Sequence, residues 1–67
     1  MFAPGQREAK VRYRDGRFDI VVPGEYVVCK VTRERIPLDQ LRYWSVDRQE
    51  PYLDAIAALR GMRSPAT

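Results

Sequence analysis

The dipeptide Asp15-Gly16 stands between two segments that alternate apolar and charged side chains, and no other feature constrains the fold as tightly. Ahead of it Ala9, Val11 and Tyr13 alternate with Lys10, Arg12 and Arg14; behind it Phe18, Ile20 and Val22 form a second apolar row. A period of two is that of a half-buried strand. Asp-Gly accepts the positive φ that both central positions of a type I′ turn require. A two-residue turn there pairs Arg14 with Arg17, Tyr13 with Phe18, Arg12 with Asp19 and Val11 with Ile20. The apolar side chains then share one face, and Arg12 opposes Asp19 on the other.

Further along, Pro23-Gly24 suits the centre of a type II turn, with proline presetting φ and glycine taking the positive value. The β-branched segment Glu25–Lys30 reads as a third strand, residues 31–37 as a polar loop, and Leu41–Ser45 as a short fourth strand. Asp47 with Glu50 three residues on has the shape of a capping box, and Pro51 suits a first turn. A helix is therefore expected from there, with Tyr52, Leu53, Ile56 and Leu59 on its buried stripe and Gly61 as its stop. Arg60 and Arg63 fall near the negative end of its dipole. The expected fold is α+β: a small antiparallel three- or four-stranded β-meander with one C-terminal α-helix packed on it. Residues 1–7 read as a disordered arm, 8–61 as one domain and 62–67 as a frayed tail.

With 67 residues, a two-domain enzyme, a dinucleotide-binding fold and a barrel are too large for the chain. There is no histidine and one cysteine, Cys29. The commonest general base near neutral pH is thus absent, and a Cys/His zinc set cannot be assembled. Cys29 reads as a small buried hydrophobe, because nothing in the sequence supplies a base to activate it. No phosphate loop, nucleophile elbow or cofactor motif is found. No enzymatic activity, cofactor or metal is expected. The absence of a signal-type N-terminus, of a long apolar run and of disulfide-forming cysteines suggests a cytoplasmic protein with no membrane contact.

The string Leu41-Arg42-Tyr43-Trp44-Ser45-Val46, followed by Arg48-Gln49-Glu50, carries a resemblance. Together with Val11–Gly16 and Pro23-Gly24, it resembles a family of short bacterial proteins described as a domain of unknown function, over about residues 8–60. That resemblance brings no activity with it. The segment also resembles treble-clef zinc proteins, with Cys29 and Thr32 at the knuckle positions and Trp44 and Arg48 at the helix-start positions. Three of the four ligands are missing and Arg33 stands in place of the knuckle glycine. The likeness implies a metal-less relative in which Trp44 packed on Cys29 replaces the ion.

Two surfaces merit testing. Arg42, Tyr43, Arg48 and Gln49 gather large amphipathic side chains around Trp44, and such residue types are enriched at binding hot spots. The plainer reading makes Trp44 the core anchor between the third-strand region and the helix, with the others at its rim. Gln49 falls over the helical stripe, where it can bond a backbone group of the third strand or the knuckle. Lys10, Arg12, Arg14 and Arg17 would share the polar face of the first hairpin, a pattern able to contact phosphates. Net charge is +3, and a solvated, soluble strand face explains the same residues. The leading expectation is a non-enzymatic module that binds an unidentified protein partner. Nucleic-acid binding through the basic hairpin is the alternative, and the oligomeric state stays open.

Overall fold

A computed structural model describes residues 6–63. In chain order the elements are β1 (Lys10–Arg14), β2 (Arg17–Val22), β3 (Tyr26–Val28), β4 (Arg35–Pro37), a 3₁₀ turn (Leu38–Gln40), β5 (Tyr43–Ser45), β6 (Glu50–Tyr52) and α1 (Ala55–Arg63). The architecture is α+β, with antiparallel strand pairs and one C-terminal helix.

The first hairpin has the register that the Asp15-Gly16 turn implies: Arg14 opposes Arg17, Tyr13 opposes Phe18, Arg12 opposes Asp19 and Val11 opposes Ile20. Gly16 takes a φ of 74°, as such a turn requires. Tyr13 is buried, and Val11 and Phe18 pack against the core. Ile20 is a correction to the expected core face: it is exposed, as are Val21 and Val22. At that end the ladder slips, so that Lys10 opposes Val22 and Val21 is the extra residue of a bulge. The bulge breaks the alternation, and the apolar end of β2 runs past the core.

The expected meander is replaced by three separate two-stranded pairs, β1–β2, β3–β4 and β5–β6. The cause lies at Pro23-Gly24. Gly24 does not have the positive φ of a type II turn; Gly16 is the glycine with that geometry among the described residues. Instead Gly24 lies so close to the backbone that a Cβ would sit 2.4 Å from Ala9 N. The contact lets Glu25 N–H donate to Arg7 O (2.9 Å) and Ala9 N–H to Tyr26 O (2.7 Å). The chain ahead of β1 thus takes the place beside β3 that β2 would have had in a meander.

The segment expected to be a polar loop holds β4, whose Ile36 is 1% exposed and opposes Val27 of β3. Between β3 and β4, Arg33 N–H closes a tight turn onto Cys29 O, at 3.0 Å, with Arg33 at a φ of 67°. The second expected element to shift is the helix. Glu50–Tyr52, expected in its first turn, is strand β6, opposite Tyr43–Ser45. The helix starts at Ala55, and Asp54 Oδ1 accepts the Ala57 N–H at 2.8 Å as its N-cap. Proline suits a short edge strand as well as a first helical turn, so Pro51 does not distinguish the two.

The helix also faces the other way. Its buried residues are Ala57, Ala58 and Gly61, whereas Ile56, Leu59 and Met62 are exposed. Gly61 is not a stop; it lies inside the helix, against the ring of Tyr52. Small side chains let the helix approach closely over Tyr52, which is completely buried. One core results, built from Ala9, Tyr13, Val27, Cys29, Ile36, Leu41, Tyr52, Ala57 and Ala58. The arm and tail expectations fall largely on residues 1–5 and 64–67, outside the described residues.

Candidate functional site

The β5–β6 hairpin organises the surface around Trp44. Its turn, Val46–Gln49, is held by Ser45 Oγ accepting the Arg48 N–H (3.2 Å), with Gln49 at a φ of 54°. In this left-handed position the Gln49 amide reaches back to β1 and acts as a strand partner. Its Oε1 accepts the Tyr13 N–H (2.8 Å), and its Nε2 donates to Tyr13 O (2.8 Å) and Val46 O (2.7 Å). The expected bond to the third strand or knuckle is therefore made to the first strand. Arg48 Nη1 donates to Gly61 O, placing a cation at the carbonyl end of α1.

Trp44 lies against the first hairpin, not between the third-strand region and the helix. Its ring is tilted on Tyr13 (centroids 5.8 Å) and edge-on to Phe18 (5.7 Å), and its Nε1 donates to Arg14 O at 2.8 Å. Trp44, Arg48 and Gln49 thus have internal partners that join the two hairpins and the helix. Arg42 and Tyr43 face outward, Tyr43 with 41% of its surface exposed. Beside them is a groove of about 380 Å³ between the Asp15-Gly16 turn and β5, lined by Arg14, Arg42, Tyr43, Trp44, Val46 and Met62, among others. Sequence reasoning missed Val46 and Met62. A helix expected to begin at Asp47 puts Val46 at its entry, and no periodicity argument brings Met62 across to β5.

Lys10, Arg12, Arg14 and Arg17 are all exposed on the first hairpin. Arg14 Nε donates to Asp19 Oδ2, and Arg17 Nε lies 3.9 Å from Asp19 Oδ1. The Arg14 hydrogen bond, helped by the charges of Arg17, Arg14 and Arg12, holds the Asp19 carboxyl below its ordinary pKa. One carboxylate therefore offsets part of the basic face.

Cys29 is buried at the start of the β3–β4 turn, and its Sγ accepts the N–H groups of Thr32 and Leu53, each at 3.3 Å. Burial opposes ionisation of the thiol. Hydrogen bonds from Thr32, Leu53 and Val31 outweigh it and leave the pKa below the ordinary thiol value. The zinc-protein likeness put Trp44 and Arg48 at a helix start, but they lie in β5 and in the β5–β6 turn. Among the described residues no group of three or more His, Cys, Asp or Glu side chains is placed to hold a metal ion. Likewise, among those residues no helix is long and apolar enough to cross a membrane.

The sequence pattern of DUF2093, described as an uncharacterized protein conserved in bacteria, matches residues 20–61. The chain belongs to that family. The matched segment of this DUF2093 chain holds β3 to β6, the Trp44 string and most of α1, and leaves out β1 and its turn. Neither a curated protein nor a solved structure matches the chain.

Proposed function

We propose that this DUF2093 chain is a non-enzymatic protein-interaction module that engages a partner through the groove beside Arg42 and Tyr43. One observation carries the reading. Tyr43 leaves 41% of its surface in solvent next to Trp44, Val46 and Met62, on a platform braced by the Gln49 and Arg48 hydrogen bonds. A rigid aromatic residue beside an arginine and an apolar floor is the composition of an interface anchor. A chain without histidine, whose single thiol is enclosed by its own backbone, supports a binding role over a catalytic one. A lone cysteine in no disulfide suits the cytoplasm, the setting included in this proposal.

Capture from native lysate, with and without nuclease, tests it. The reading expects a protein partner that survives nuclease and is lost from Tyr43→Ala and weakened by Arg42→Ala, both variants keeping the native unfolding temperature. Capture that is abolished by nuclease and by charge reversal at Lys10, Arg12, Arg14 and Arg17 would instead establish nucleic-acid binding through the basic hairpin.

A further inference from the structure

Of the cations on the first hairpin, the Tyr43 groove is lined by Arg14 alone. Strand alternation sets Lys10, Arg12 and Arg14 of β1 on one face, and the ladder brings Asp19 opposite Arg12 and Arg17 opposite Arg14. Tyr13 and Phe18 point the other way and hold Trp44. The charged face is thus backed by an aromatic cluster and turned to solvent. Among the described residues β2 pairs with β1 alone, so this face belongs to a separate two-stranded ribbon.

Its charge is not balanced locally. The two strands hold four cations and one carboxylate, Asp19, which bonds Arg14 and lies 3.9 Å from Arg17. The neighbouring carboxylates lie elsewhere. Glu25 Oε1 accepts the Arg7 N–H at 2.7 Å, and Asp15 stands at the tip of the turn. Glu8 precedes β1, and its charge reaches the Tyr13 phenol behind the ribbon. Residues 1–5 and 64–67 contain no Asp or Glu, so they bring no acidic side chain to this face.

The ligand that answers such a face is a polyanion. A two-stranded ribbon fits the major groove of B-form DNA, which is about 12 Å wide. Single strands are held by aromatic rings on which their bases stack, and both aromatic residues of the ribbon lie on its other side. A protein interface centres on an aromatic or apolar anchor, which rows of Lys and Arg do not supply. We propose that the charged face of the β1–β2 ribbon binds the phosphate backbone of double-stranded DNA, and that Asp19 limits the strength of this binding by holding Arg14 and Arg17. Phosphate contacts carry no base sequence, so the binding is indifferent to it.

The test is fluorescence anisotropy of the full chain with a labelled DNA duplex of mixed sequence, titrated across salt concentrations. With Lys10, Arg12 and Arg17 on phosphates, log affinity should fall against log salt with a slope of about −2.7. Arg12→Ala should reduce that slope by about 0.9 and weaken binding severalfold at about 50 mM salt. Lys30→Ala removes the same charge from the β3–β4 turn and should leave both unchanged. Asp19→Asn should tighten binding by about threefold or more. Circular dichroism checks the fold of each variant. Absence of duplex binding at about 50 mM salt, or equal effects of Lys30→Ala and Arg12→Ala, would overturn the proposal. So would failure of Asp19→Asn to tighten binding, a single strand bound as tightly as the duplex, or flotation on anionic phospholipid vesicles in place of duplex binding. Tyr43→Ala should leave duplex binding unchanged, and protein captured from nuclease-treated lysate bears on the Tyr43 groove alone, so the two readings fail separately.

Discussion

Replacing Gly61 by alanine sets two effects of known size against each other. In a helix interior alanine is favoured over glycine by about 1 kcal/mol. On that ground Gly61→Ala should stabilise α1. In this structure the new Cβ would lie 2.2 Å from Tyr52 Cε1, 2.8 Å from Cζ and 3.0 Å from Oη. The closest approach is more than an ångström short of ordinary van der Waals contact. The ring has little freedom to retreat, because Tyr52 is completely buried and its hydroxyl donates to Glu50 Oε1 at 3.0 Å. The helix is held in turn by the Arg48 bond to Gly61 O. Overpacking of this kind costs about 1–3 kcal/mol, and a displaced fully buried ring belongs at the upper end. The net expectation is a loss of about 1–2 kcal/mol, a fall in Tm of roughly 4–16 °C for a domain of this size.

Thermal unfolding followed by circular dichroism reads the sign directly. Tyr52→Leu supplies the control, since the double variant no longer has the clash. In that background Gly61→Ala should be neutral or stabilising, giving a strong favourable coupling between the two sites. A Gly61→Ala protein that melts several degrees higher than the parent would refute the close packing of α1 on Tyr52. It would also remove the physical cause of the outward-facing Ile56 and Leu59.

Other perturbations separate the braces from the surface. Trp44→Ala should cost about 3–5 kcal/mol, as for other aromatic truncations, because the ring spans Tyr13 and Phe18 and its Nε1 holds Arg14 O; chemical denaturation measures it. Gln49→Glu keeps an acceptor for the Tyr13 N–H but sets a carboxylate against Tyr13 O and Val46 O, so it should lower stability by about 1–3 kcal/mol, whereas a Tm equal to the parent's would refute the strand-partner role. Burial, with the charge of Glu8, pushes the Tyr13 phenol up to about 12. The unfolded phenol ionises near 10, so this contribution is complete below about pH 10 and is lost as pH climbs toward 12; the share of tyrosinate absorbance that Tyr13→Phe removes should rise together with unfolding rather than before it. Chelator should leave the melting curve unchanged, since backbone N–H groups of Thr32 and Leu53 occupy the Cys29 sulfur, and a shift of several degrees would point to a bound metal.

The first hairpin was legible in the sequence because a turn dipeptide and an alternating pattern specify the same register independently. The β5–β6 hairpin was not, for Asp47, Glu50 and Pro51 meet the local rules for a helix start. What decides against the helix is non-local: β6 takes its place through the Lys30 N–H to Pro51 O bond (3.0 Å) and the pairing of Tyr52 with Tyr43. Trp44, Arg48 and Gln49 were recognisable as a concentration of chemistry, yet their partners lie in two other segments, Tyr13 and Arg14 O in β1 and Gly61 O in α1. Spacing along the chain could not divide them into braces and contact residues.

The orientation of α1 followed a different logic. A helical stripe search looks for large apolar residues and assigns them to the core, which put Ile56 and Leu59 inside with Tyr52 and Leu53. The same nine residues contain a second stripe of small ones, Ala57, Ala58 and Gly61, and the buried tyrosine decides between them. A Tyr52 ring already fills the space under the helix, so a leucine there would add volume with nowhere to go, whereas alanine and glycine let the helix close over the ring. The large side chains are then left outside by packing in the core, and the arginines beside them lie along the rim of a groove next to Val31. Core geometry thereby produces the apolar face of α1.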